Sequence, residues 1–438
     1  MLSVLDMIYK ILASNLKNWC LSHNGEEIRM KLQKIADFCY YSLVLNIIAI
    51  MCFSYKEETV WIFYGTTIFS VVLMLLYIVI KQKAVVIRQF HFAVFAWLGW
   101  VFASILWSID AGTSLIMVGT LAQLGVYSLI MYEYFSQSCI SVDRLVNAIS
   151  IGVGSMGIYS LYYYGFIDFF SMLGSGLRLG FEINQENTYG SFAVMGVIAG
   201  LGQYFNKKTM TSILVAILSL LMVLASGSRA AILCCAIGVG CLIIIEYGYV
   251  GFRRIIKSSV VIGLVLCIIF SYFEDLAIVK RFDMFFNLFY STDPVDNSTM
   301  TRLDMIAYGL EQFFYRPIQG YGINNFRELF IQTSGWATYS HNNFVELLVN
   351  VGFVGFVLYY YIYYIILQKA KKLSMDKKTI LILTVITLVD GMFGPNYYSK
   401  ILYIIFAMGY YSVTSSRNEV QELGPDNGTY KELYNKTN

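Results

Sequence analysis

The chain reads as an all-α polytopic membrane protein: about twelve transmembrane helices and a long outer loop containing amphipathic helices. Three observations predict this class. Of 438 residues, 58% are apolar and 13% charged, for a mean hydropathy of +0.62. Apolar runs near the length of about 17–25 residues that the hydrocarbon core demands recur along most of the chain. The basic residues fall unevenly on the two sides that those runs define. The runs are continuous rather than alternating, which favours helices over a spanning barrel.

Residues 1–37 are mixed polar and basic and are read as a cytoplasmic tail without a cleavable signal peptide. Within them, residues 2–16 are modestly amphipathic and suit the membrane surface. Spans are expected near 38–53, 59–80, 90–107, 113–131, 145–165, 188–204, 211–225, 230–246 and 255–273, giving nine transmembrane helices over 38–273. A loop of unusual length follows at 274–342, long enough to hold structure of its own. Spans near 343–366, 379–391 and 397–413 complete a second membrane block over 343–413. The cytoplasmic tail at 414–438 is polar, with the composition of a disordered segment from Gln421 onward.

With the N-terminus inside, 22 of the 31 Lys and Arg residues fall on the cytoplasmic side, and both termini lie there. The net charge of +3 points to no nucleic acid. All four prolines, Pro294, Pro317, Pro395 and Pro425, sit outside these spans, which predicts unbroken helices. The eight cysteines lack metal spacing and read as small buried hydrophobes. His23 and His91 fall at the cytoplasmic end, and no clustered metal ligands, phosphate-binding glycine loop or serine elbow is present.

Three outer segments carry the polar chemistry. The first, 165–187, contains Gly174-Ser-Gly-Leu-Arg178-Leu-Gly-Phe-Glu-Ile-Asn184-Gln-Glu-Asn187. The second is the turn Ser226-Gly-Ser-Arg229. The third is the 274–342 loop. In the third, Leu303, Ile306, Ala307, Leu310 and Phe313 recur at helical spacing opposite Asp304, Tyr308, Glu311 and Gln312, as in a helix lying in the interface plane. That helix should end before Arg316-Pro317. A tight turn through Gly320, Gly322 and Asn324-Asn325 should follow, then a short helix over 326–332.

Arg178 reads either as an interfacial anchor or as a ligand-binding charge, and Arg229 either as a hairpin-closing charge or as its companion. Two guanidiniums in glycine-rich outer segments suit a phosphate or pyrophosphate, because the planar fork pairs with two oxygens at once. His341 opens the tenth span. It is either an incidental polar residue beside a capping Ser340 and an Asn343/Glu346 capping box, or a general base. The helix field disfavours its positive form and leaves a neutral imidazole able to accept a proton. Glu346, a turn inside the span, is placed to orient or tune that site. A secondary transporter or flippase is the competing class, but it needs ionisable groups through the midplane, where charges are almost absent.

Four pieces in this order resemble bacterial O-antigen ligases and O-antigen or capsule polymerases. They are Arg178-Leu-Gly with Asn184-Gln-Glu-Asn187, Ala225-Ser-Gly-Ser-Arg229-Ala-Ala, Arg302-Leu-Asp-Met-Ile-Ala-Tyr-Gly-Leu through Arg316-Pro-Ile-Gln-Gly-Tyr-Gly-Ile-Asn-Asn-Phe326, and Ser340-His-Asn-Asn-Phe-Val-Glu346 with Gly352-Phe-Val-Gly355. The resemblance covers 178–366, and it departs from the family's common Asn-Pro-Asn at Asn184-Gln-Glu-Asn187. It implies an inverting glycosyltransferase in the bacterial cytoplasmic membrane, acting at the outer face on a polyprenyl-pyrophosphate-linked oligosaccharide. No cofactor or metal is implied. Carried onto this chain, Arg178 and Arg229 hold the pyrophosphate and stabilise its departure, and His341 takes the acceptor's proton. Arg302, at the start of the loop motif, either joins Asn342 and Glu346 in binding substrate or only anchors its helix. The polymerase branch is favoured over the ligase that loads lipid A core, because the outer surface lacks extra basic residues for a phosphorylated core. Membrane lipids, a chain-length regulator and a flippase of the same pathway are the implied partners.

Overall fold

A computed structural model describes residues 25–172, 178–180, 182–271, 297–369 and 373–422. The expected surface segment at 2–16, the early part of the long outer loop and the end of the C-terminal tail lie outside the described residues. Among the described residues there is helix and no strand. In chain order the helices are α1 Gly25–Phe53, α2 Val60–Lys81, α3 Gln89–Ala103, α4 Ala111–Ser138, α5 Val142–Tyr164, α6 Phe166–Met172, α7 Glu186–Lys207 and α8 Met210–Ala225. They continue as α9 Arg229–Ser271, α10 Asn297–Tyr315, α11 Phe326–Ser334, α12 Asn343–Leu367, α13 Met375–Asp390 and α14 Lys400–Glu422. A 3₁₀ turn, Ser104–Trp107, extends α3.

Seven of the described helices are long and apolar enough to cross a membrane by themselves, and α8 is a shorter apolar helix. Their outward faces carry large apolar side chains, such as Trp61, Ile68 and Leu76 on α2. A continuous apolar exterior of this kind calls for hydrocarbon rather than water around it.

The centre of the bundle is α7, buried on nearly every side from Tyr189 to Gln203. Small residues let its neighbours approach its backbone. A Cβ added at Gly200 would lie 2.8 Å from the Ser212 carbonyl oxygen and 2.9 Å from the Ala216 nitrogen, so α8 packs backbone to backbone there. At the predicted cytoplasmic end, His91 caps α3. Its Nδ1 accepts the Arg88 N–H at 3.1 Å, and its Nε2 faces Glu133 at 3.1 Å.

Two expectations are corrected. The tenth span was expected as one unbroken helix, yet α12 breaks at Gly352, with φ 66° and ψ −173°. Asn343 Nδ2 donates to the Tyr360 hydroxyl at 3.0 Å, and the Phe344 and Tyr360 rings stack with centroids 4.9 Å apart. A straight helix would hold such residues about 25 Å apart. Residues 343–351 therefore fold back against residues 353–367.

The break leaves backbone groups that a membrane interior cannot hydrate, and a segment after α10 takes them up. Phe353 N donates to the Pro317 oxygen at 2.8 Å, and Tyr321 N donates to the Val349 oxygen at 3.0 Å. Trp100 Nε1 of α3 caps the Val351 carbonyl at 2.9 Å. A Cβ at Gly352 would sit 2.2 Å from the Ile318 oxygen, so only glycine fits. A second non-helical point, Gly248 in α9, falls between the eighth and ninth expected spans.

The second correction concerns α10. It ends at Tyr315 as expected, and α11 follows at the expected place. Its inward face, however, is Met305 and Gly309 with Ile306, Tyr308 and Phe313 against the first arm of α12, while Leu303 and Leu310 are exposed. Tyr308 was expected on the polar face; its hydroxyl instead donates to the Leu329 carbonyl of α11 at 2.9 Å. The cysteine expectation holds at Cys39, Cys52, Cys234 and Cys235, but Cys139 is exposed at the end of α4.

Candidate functional site

Arg178 is set against the turn between α8 and α9. Leu179 N donates to the Ala225 oxygen at 2.9 Å, which lays the Arg178 segment alongside the end of α8. Arg178 Nε then donates to the Ser226 carbonyl at 3.0 Å, and one terminal nitrogen donates to Asn187 Oδ1 at 2.8 Å. The other faces Glu186 at 3.7 Å. Gly227, at φ 60°, clears the path of this side chain, since a Cβ there would lie 3.2 Å from Arg178 Cγ. Ser228 Oγ accepts the Ala231 N–H, and Arg229 opens α9 with its side chain exposed. The two arginines thus belong to one surface, at a helix start whose free N–H groups also favour an anion.

The same loop carries a second charged pair. Lys56, after α1, bonds Glu182, and this partner raises the lysine's pKa and lowers the carboxylate's.

His341 stands just before the first arm of α12 in a left-handed backbone conformation, φ 55°, uncommon outside glycine. Its ring lies 4.3 Å from that of Tyr339, centroid to centroid. The imidazole is half-buried, and burial first, then the Arg302 guanidinium, pulls its pKa from 6.5 to about 4. The neutral form expected from the helix field is thus secured by other causes. Arg302, from α10, is placed close enough to act on His341 electrostatically.

The candidates flanking His341 turn inward. The expected caps, Ser340 and the Asn343/Glu346 box, are replaced by Asn342. Its Oδ1 accepts from Phe344 N at 2.9 Å and Val345 N at 3.1 Å, and its Nδ2 donates to the Met392 oxygen at 3.3 Å. Glu346 is 3% exposed, so its carboxylate serves the fold. One oxygen accepts the Ser340 N–H at 2.8 Å and the other faces Asn350 Nδ2 at 3.3 Å. Asn350 in turn accepts the Phe326 N–H at 2.7 Å, tying α11 to the same arm.

Between the arginine surface and Asn343, two residues after His341, stands a residue that none of the sequence motifs contains. Ser191 Oγ, one turn along α7 from Asn187, donates to Asp390 Oδ1 at 2.7 Å. The next residue, Gly391, accepts the Asn343 N–H at 2.7 Å. Asn343 Oδ1 then receives the Asn396 and Tyr397 N–H groups at 2.9 and 3.0 Å. Asp390 ends α13 as a carboxylate closing an apolar run, and an ionisable residue in such a run was the signal available for it.

Residues 214–360 match the family model of the O-antigen ligases. The chain carries an O-antigen ligase-family domain. The matched stretch runs from α8 through the 226–229 turn, α9, α10 and α11 to the second arm of α12. The matched stretch contains Arg229, Arg302 and His341, whereas Arg178 bonds it at Ser226 from outside and Gly391, next to Asp390, bonds it at Asn343. Proteins of this family transfer lipid-linked oligosaccharide, a glycosyltransferase-type activity shared by ligases and polymerases. No curated protein matches the chain.

Proposed function

We propose that this protein is a surface-polysaccharide polymerase. It joins polyprenyl-pyrophosphate-linked repeat units by inverting transfer on the outer face of the bacterial cytoplasmic membrane. One observation carries the reading. Arg178 rests on the turn that ends in Arg229 and bonds Asn187 of α7; one turn along that helix Ser191 bonds Asp390, and the next residue, Gly391, accepts the N–H of Asn343, two residues from His341. A donor's pyrophosphate is paired by the arginines. His341, kept neutral, takes the proton of an acceptor-sugar hydroxyl. The hydroxyl oxygen bonds the donor's anomeric carbon from the face opposite the pyrophosphate, and the breaking C–O bond leaves its electron pair on the leaving group. Arginines serve best at that moment, when charge develops on the departing oxygen.

Asn342 and Glu346 act in this scheme as positioning residues that hold the backbone on either side of His341. Burial, and then Arg302, keeps the imidazole unprotonated. Twelve passes with both termini inside remain the topology proposed, the tenth being the second arm of α12. Lys369 at its foot donates to Gln89 at the start of α3, so these two passes run antiparallel.

Polymerase is favoured over ligase because most of the 31 Lys and Arg residues fall on the expected cytoplasmic side, leaving few outside for a phosphorylated core. Gel analysis of surface polysaccharide in a deletion strain separates the two. Single-repeat material on the core is expected. Bare core with accumulated long lipid-linked chains would make the protein a ligase, and an unchanged surface would remove both assignments. Complementation with His341→Ala should leave the deletion pattern in place.

A further inference from the structure

Directly beneath the arginine surface, α8 and α9 stand apart. Both are drawn onto α7, α8 by the close approach at Gly200 and α9 by Gly238, where a Cβ would lie 2.5 Å from Ile198 Cδ1. Between them lies a groove of about 380 Å³, lined only by apolar residues, with Leu201 of α7 at its floor, Ala216, Leu220 and Leu224 on one wall and Ile232 and Ala236 on the other. Leu220 and Leu224 are 43% and 40% exposed, so the groove opens outward, on the side given to lipid. It runs along the helices for roughly 15–20 Å. At its upper end Leu224 and Ile232 bracket the 226–229 turn, so apolar wall gives way to Arg229 within about one helical turn.

We infer that this groove seats the first isoprenoid units of the lipid donor, making α8 and α9 the element that recognises the lipid. The inference rests on the pyrophosphate reading of Arg178 and Arg229. In a polyprenyl pyrophosphate the branched hydrocarbon begins at the phosphate oxygen itself. A phospholipid instead interposes glycerol and two ester carbonyls between phosphate and acyl chain. The direct junction of arginine surface and apolar wall matches the first geometry. Ala216 on one wall and Ala236 on the other stand among larger side chains, and these small residues leave recesses for a methyl-branched chain. A chain that fills those recesses packs more closely than a straight acyl chain can, and the added dispersion attraction favours it over bulk lipid.

The test uses the full-length protein and farnesyl pyrophosphate bearing a diazirine at the end of its tail. Photolysis of the wild type should label residues 213–224 and 232–239, and excess polyprenyl pyrophosphate should suppress the label. Ala236→Trp and Leu220→Trp, each filling the groove, should weaken farnesyl pyrophosphate binding at least tenfold and leave inorganic pyrophosphate binding within twofold. Arg229→Ala should weaken both. The wild-type labelling stands whether or not a filled variant folds. Labels that land elsewhere, or filled variants that bind farnesyl pyrophosphate normally, overturn the inference and spare the pyrophosphate reading. A diazirine phospholipid that labels the groove and is not displaced by polyprenyl pyrophosphate also overturns it. Unaltered inorganic pyrophosphate binding in Arg229→Ala overturns the pyrophosphate reading instead.

Discussion

Asn343 and Tyr360, 17 residues apart in one helix, share a hydrogen bond of 3.0 Å. That contact exists only because α12 turns back at Gly352. It sets the start of the first arm beside a residue about two helical turns down the second. His341 is carried with it, half-buried beside Asn342 and Asn343, which bond the 391–397 loop.

The fold-back should fail with a single methyl group. Gly352→Ala adds a Cβ 2.2 Å from the Ile318 oxygen at φ 66°. The backbone conformation alone costs about 1–3 kcal/mol. A lowered thermal midpoint and lost transfer activity are expected, and a wild-type midpoint would show that the break tolerates a side chain.

The pH profile should betray a depressed histidine. With the His341 pKa at about 4 against 6.5 when unfolded, the neutral form favours the folded state. The associated stability is complete above pH 6.5 and is lost as pH falls toward 4. Transfer rate should therefore hold steady through pH 6 and drop only near the lower value. In Arg302→Gln the inflection should move upward, since that guanidinium contributes to the depression. A wild-type inflection between pH 6 and 7 would contradict this assignment.

Removing the base should separate binding from chemistry. His341→Ala is expected to slow transfer by about 10²–10⁴-fold. Donor affinity, measured by competition with a labelled donor, should change less than twofold. A parallel fall in both would place His341 in donor binding instead.

Lysine should not replace Arg178. The guanidinium reaches Ser226, Asn187 and Glu186 with three separate nitrogens, which one ammonium cannot reproduce. Arg178→Lys should lose donor binding by roughly tenfold, about 1.4 kcal/mol. Full binding by the lysine variant would reduce Arg178 to a simple positive charge.

Orientation has a direct chemical readout. Ala337 is exposed after α11, and Cys139 is exposed at the far end of α4. In intact cells an impermeant maleimide should label Ala337→Cys, and should reach Cys139 only after permeabilisation. The reverse pattern would invert the topology.

Much of the architecture was legible because hydrophobicity and helix punctuation are local. The apolar runs announced where helices lie, the Arg316-Pro317 step marked the end of α10, and the glycine-asparagine cluster preceded α11. Arg178, Arg229 and His341 were visible as polar side chains that the expected topology did not require. What the residues around them do was less visible. Glu346 looked like a substrate ligand three positions past a cap, yet it is committed to Ser340 and Asn350. Asp390 passed as the end of an apolar run, and only its contact with Ser191 shows that it links two distant segments.

By itself, then, the sequence determined a helical membrane protein, the order of its helices and the polar motifs between them, since each depends on a residue and its near neighbours. The tertiary structure alone decided that α12 folds back at Gly352, that residues 317–321 and Trp100 supply the hydrogen bonds this break requires, and that Asp390 and Gly391 stand between α7 and the start of α12. The physical reason is one of range. Burial propensity is written residue by residue. A backbone group freed inside a membrane is satisfied by whatever segment packs there, and here that segment comes from a different part of the chain.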